Sequence, residues 1–152
     1  MRSIAPLLFA ITLALTPGSA ALAAGSSSKP ANPELAQAEK LVDSGDYTGA
    51  IPLLEKVLAA DPENADALNY LGFSQRKLGD QDAALKNYEA ALAIDPEHRG
   101  ANEYLGELYL EMNQLDRAEE RLAVLDKACF FGCEEYTELK ESIETYKAKQ
   151  GS

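Results

Sequence analysis

Residues 78–96 read LGDQDAALKNYEAALAIDP. Leu78-Gly79-Asp80 has the composition of a turn, and Asp95-Pro96 closes the stretch. Between them Leu85, Tyr88 and Leu92 recur along one side and Ala84 and Ala91 along another. That spacing belongs to a helix, since side chains three, four and seven apart share a helical face. The phrase has two relatives in the same chain, SGDYTGAIPLLEKVLAADP at 44–62 and MNQLDRAEERLAVLDKACF at 112–130. Ala50, Ala84 and Ala118 are each 34 residues apart. Gly45, Gly79 and Asn113 keep the same step, as do Leu54, Tyr88 and Leu122, and Pro62 and Pro96. Leu71-Gly72 and Leu105-Gly106 repeat upstream of the second and third phrases. No run alternates at period two for long enough to argue a strand.

These columns resemble the tetratricopeptide repeat, a helix-turn-helix unit with W-x2-L-G-x2-Y, then A-x3-F, then P. The second unit follows it through Leu68, Leu71-Gly72, Ala84, Tyr88 and Pro96. The third does so through Leu105-Gly106, Tyr109, Ala118 and Leu122. The first is loosest, with Ala38 and Leu41 in the Gly and Tyr columns. The resemblance implies an all-α fold of three repeats, at about 32–64, 65–98 and 99–132, stacked into a short right-handed superhelix. Gly45, Gly79 and Asn113 are expected to take the left-handed conformation that ends a helix. Asp61-Pro62 and Asp95-Pro96 are expected to open the next unit, aspartate as cap and proline at the first helical position. A stacked helix pair needs a neighbour on each side. Tyr136, Leu139 and Ile143 continue the period, so 133–149 reads as a capping helix. Its other face carries Glu138, Lys140, Glu141, Glu144 and Lys147, directed to water.

The N-terminus has a different character. One basic residue, Arg2, precedes an apolar run from Ile4 to Leu15, and Ala21-Leu22-Ala23 follows. This is the pattern of a cleavable secretory leader. The run is too short for a spanning helix, which needs roughly 20 residues. Residues 1–23 are thus expected to be removed, 24–31 to be a flexible Gly/Ser/Pro linker, and 32–150 to be the folded domain of a periplasmic or secreted protein without membrane insertion. The formal net charge is −11. Nucleic-acid binding needs a basic footprint, which this composition does not offer.

The two cysteines, Cys129 and Cys133, sit in KACFFGCEEY at 127–136, the turn between the third repeat and the capping helix. Export and an even count favour a structural disulfide. A redox role lacks the C-x-x-C spacing and the βαβ scaffold of thioredoxin-type motifs. A metal role, copper suiting two soft thiolates, needs a third ligand. His98, the only histidine, is one repeat away and expected to be exposed in the turn after Pro96.

No nucleophile elbow, zinc-protease helix or phosphate loop occurs, so the chain reads as a non-enzyme with no cofactor, metal or catalytic residues. Proteins of the tetratricopeptide type hold a peptide or protein segment in a concave groove lined by the first helix of each pair. The resemblance places Leu35, Glu39 and Val42 there in the first unit. It places Asp66, Asn69, Phe73, Arg76 and Lys77 there in the second, and Glu103, Glu107, Leu110 and Glu111 in the third. The basic clamp that some relatives use for a C-terminal carboxylate is not reproduced, since its columns hold Leu35, Glu39 and Gly100. The acidic third unit points to a partner bearing lysines or arginines. The reading is therefore an exported interaction adaptor. A thiol- or copper-handling accessory and an assembly or oligomerisation module are the alternatives.

Overall fold

The computed structural model describes residues 32–151, and the leader and linker expected at 1–23 and 24–31 lie outside them. Every regular element among the described residues is an α-helix. In order these are α1 (Pro33–Asp43), α2 (Tyr47–Ala60), α3 (Ala65–Lys77), α4 (Gln81–Ile94), α5 (Arg99–Glu111), α6 (Leu115–Ala128) and α7 (Glu134–Gln150). None of them is long and apolar enough to cross a membrane.

The turns inside each pair form as the sequence dictates. Gly45, Gly79 and Asn113 have φ of 81°, 89° and 59°. At the first of these, the amide of Gly45 donates to the Val42 carbonyl (2.9 Å) and that of Asp46 to the Leu41 carbonyl (2.8 Å), satisfying carbonyls the helix leaves open. The next helix starts at once. Asp46 Oδ1 accepts from the Gly49 amide (2.9 Å) and Asp80 Oδ1 from the Ala83 amide (3.1 Å).

The turns between pairs correct the sequence reading. Asp61 and Asp95 terminate α2 and α4, and the prolines after them lie in the turn, outside the helices. Caps are supplied two residues after each proline. Asn64 Oδ1 accepts from the Ala67 amide (3.0 Å) and His98 Nδ1 from the Ala101 amide (3.1 Å). The open amide in the third helical position needs an acceptor three residues ahead, and Asn64 and His98 stand there. Proline instead presets φ for the turn. α7 likewise starts at Glu134 with Cys133 as its cap residue.

Consecutive helices contact each other throughout, and α1, α3, α5 and α7 also contact one another in series. No corresponding contacts link α2, α4 and α6. The first helices of the pairs thus form one continuous layer, and the second helices form a splayed outer layer, which curves the stack toward the first. Small residues permit this closeness. A Cβ on Gly72 would come within 2.9 Å of the Tyr88 ring, and one on Gly106 within 2.6 Å of Leu139. Leu54, Tyr88, Leu108, Leu125 and Leu139 are fully buried between the layers.

Candidate peptide-binding groove

A chain of aromatic rings runs from α2 through α3 and α5 to α4. Phe73 on α3 packs edge-on to Tyr47 at 5.9 Å and against Tyr104 at 4.6 Å, and Tyr104 lies 6.3 Å from Tyr88. Phe73 is therefore a packing residue between repeats, half-buried in the layer. The ammonium of Lys77 lies over its ring at 4.9 Å. Such a cation over an aromatic face is weakly attractive when solvated.

Arg76 is the hub of the polar part. Its side chain is 5% exposed. Nη1 donates to the Tyr104 carbonyl (3.0 Å), Nη2 to Glu107 Oε2 (2.6 Å), and Nε faces Glu111 Oε1 at 3.4 Å. Burial works against the charge, but Glu107 and Glu111 outweigh it and hold the guanidinium ionised. The fork ties α3 to α5 along the groove floor. Ser142 on α7 adds a hydrogen bond to Glu107 Oε1 (3.4 Å), so three inner helices share one network.

Beyond Arg76 the wall is acidic. Glu103 is 3% exposed and shares a hydrogen bond with Glu138 of α7. Desolvation, that hydrogen bond and the charges of Glu138, Glu107 and Glu135 push its pKa up to about 9. At neutral pH Glu103 carries its proton, which bridges two carboxyl groups from neighbouring helices. A cavity of about 610 Å³, open to solvent, lies alongside, lined by Arg76, Glu107, Leu110, Glu111, Glu138, Glu141, Ser142, Thr145, Tyr146 and Lys149. Arg76 is already engaged, so the groove offers more carboxylate than free cation to a visitor.

Of the residues picked from sequence, Arg76, Glu107, Leu110 and Glu111 meet at the cavity, and Glu103 is buried in the acidic wall. Asn69 is 4% exposed, and a Cβ on Gly100 would come within 2.9 Å of its amide nitrogen. It thus lies within the α3–α5 contact, beneath the groove surface. Val42 belongs to the core. His98 departs from its expected place: its side chain is 13% exposed, and its Nε2 pairs with Asp66 at 3.0 Å while Nδ1 caps α5. The capping helix contributes more than its charged face suggested. Glu138, Glu141, Ser142, Thr145, Tyr146 and Lys149 all line the cavity, so α7 is a groove wall as well as a lid on the core. Their spacing of three and four along one face is the signal that marks them.

The sulfurs of Cys129 and Cys133 face each other at bonding distance, with Cα atoms 5.6 Å apart. The carboxylate of Glu135 lies within 4.8 Å of both sulfurs, a neighbour the sequence reading did not identify.

Comparison with known proteins follows the same line. Family models described as tetratricopeptide repeat match residues 35–96 and 75–142. The chain belongs to the tetratricopeptide repeat family. A search of curated proteins finds no match. Among solved structures, the type III secretion translocator chaperone SycD of Yersinia enterocolitica aligns with a TM-score of 0.69 at 20% identity, covering 79% of this chain and 85% of that one. The Sgt2 tetratricopeptide domain from Aspergillus fumigatus gives 0.68 at 22% identity, covering 78% of each chain. The first such domain of Spaghetti (RPAP3), bound to an HSP90 peptide SRMEEVD, gives 0.68 at 17% identity, covering 78% and 91%. These likenesses establish the fold.

Proposed function

We propose that this tetratricopeptide protein is an exported, non-catalytic adaptor. It binds an extended segment of another protein along α3, α5 and α7, and that segment carries lysine or arginine. The observation that carries the reading is the open cavity of about 610 Å³ walled by Glu107, Glu111, Glu138 and Glu141, with its buried cation already paired. A basic side chain entering there replaces water with opposing charge, which favours both encounter and register. Peptide binding by structural neighbours supports the class of ligand: SycD has been solved with a peptide of YopD, and PcrH with the chaperone-binding region of PopD. The HSP90 peptide held by RPAP3 is itself acidic. The acidic wall here favours a ligand of opposite charge.

Export rests on the leader pattern at 1–23, and it gives the cysteine pair its role as a staple between the third repeat and α7. Intact mass of the chain expressed with its own leader tests both points. Loss of residues up to a cut within 21–24 and a mass two hydrogens short are expected. An uncut chain, or two free thiols, removes this part of the reading.

Cross-linking tests the groove. A benzophenone amino acid replaces Glu141 in one variant and Ile94, half-exposed at the end of α4, in another. The first is expected to capture a defined protein through a basic segment and the second to give none of that adduct. Equal capture from both positions, or capture from Ile94 alone, places the binding surface elsewhere.

A further inference from the structure

We propose that the loop from Cys129 to Cys133 is a second docking element, whose Phe130 and Phe131 rings enter an apolar pocket with a basic rim on a partner protein. Among the described residues, three turns connect one helix pair to the next helix. Two of them use Asp-Pro-Glu followed by the capping Asn64 or His98. The third makes the same connection with Cys-Phe-Phe-Gly-Cys. The fold therefore does not require aromatic rings there, and they add nothing to the core: Phe130 is 85% and Phe131 96% exposed. The other exposed large apolar side chains, Leu78 and Ile94, are about half covered.

The backbone that carries the rings is held in place. Cys129 is buried at the end of α6, and Cys133 stands at the N-cap position of α7, where its carbonyl accepts from the Thr137 amide (3.3 Å). The Gly132 amide donates to the Cys129 carbonyl (2.7 Å), with Gly132 at φ 84°, a conformation that suits glycine. Thr137 Oγ1 donates to the Cys133 carbonyl (3.1 Å). The two rings meet edge to face at 5.1 Å. A short loop anchored on two helices loses little freedom on docking, and rigid aromatic anchors are the residues that dominate interfaces.

Charge chooses the occupant. Asp126, Glu134 and Glu135 flank the loop against a single cation, Lys127. An anionic bilayer repels that surround. A second copy would bring the same carboxylates face to face. A concave apolar pocket with basic side chains around it meets both the shape and the charge.

The test uses the full chain with a benzophenone amino acid in place of Phe131, cross-linked in the cells that produce the protein. The adduct partner is identified, purified and titrated by calorimetry against the wild type, the Phe130→Ser/Phe131→Ser variant and the groove variant Glu138→Gln/Glu141→Gln. The loop variant should bind at least about 30-fold more weakly, with its thermal unfolding unchanged. The loss in the loop variant is read whether or not the groove variant also weakens, so failure of the groove reading leaves this result standing. Wild-type binding should weaken as salt rises, as expected of a basic rim. Four results overturn the proposal: no adduct, equal binding by the loop variant, an adduct with the chain itself together with a dimer in sedimentation, or flotation of the wild type with phosphatidylcholine vesicles.

Discussion

Glu103 is the residue whose behaviour is least like its type. Its pKa lies near 9 in the folded protein, against an ordinary value of 4.5. The folded state therefore keeps a proton that the unfolded chain has released. Where the folded state binds more protons, stability falls as pH rises. The contribution is complete below the ordinary carboxylate value and is lost progressively as pH climbs through about 9. The melting temperature of the wild type is expected to drop across that window, and Glu103→Gln to flatten the slope and raise stability at its alkaline end. Parallel curves for the two proteins would refute the protonated bridge to Glu138. Arg76 makes the complementary case. With its side chain 5% exposed, Arg76→Ala strands Glu107 and Glu111 and should cost about 3 kcal/mol in urea unfolding. Lys77→Ala removes only a solvated cation over Phe73 and should cost less than about 1 kcal/mol. At this scale the sequence was a partial guide. The repeat columns put Arg76, Glu107 and Glu111 on one face, and they meet there. The burial of Glu103 and Asn69 was hidden, because it depends on how closely α5 packs against α3 and α7. Spacing within one helix does not report that distance.

Single elements were the most legible part of the fold. Helix identity follows from the period of the apolar residues, and each turn within a pair is marked by the one residue able to take positive φ. Where the reading failed, two residues competed for one task. Asp61 and Asp95 have the chemistry of a cap, but Asn64 and His98 stand closer to the open amides and take it. Gly72 shows how much a helix pair depends on a missing atom. Gly72→Ala drives a methyl group against the Tyr88 ring at 2.9 Å, and unfolding should be easier by about 1–3 kcal/mol. An unchanged midpoint would mean that α3 and α4 are free to move apart. The cysteine loop has a gentler role in stability. It closes only about five residues, so Cys129→Ser/Cys133→Ser should cost about 2 kcal/mol and leave helix content intact. Loss of circular dichroism at room temperature would make the bond a condition of folding.

At the scale of the whole molecule, the repeated contacts among α1, α3, α5 and α7 set the curvature, and curvature makes the groove. α7 joins the two demands on the chain's end. Leu139 and Ile143 cover the last repeat, while Glu138, Glu141 and Ser142 complete the cavity. The sequence announced the covering role through its period, but a charged helix face looks the same whether it meets bulk water or a groove. Only the position of α5 beside it separates the two. The central claim is that this acidic groove selects a basic segment. The measurement that meets it most directly is selection of a random displayed peptide library on the purified chain, with Glu107→Gln/Glu138→Gln/Glu141→Gln as the counter-target. Binders enriched in lysine and arginine are expected, and they should lose affinity on the counter-target and at high salt. Binders without basic residues, or binders that hold both proteins equally well, would contradict it.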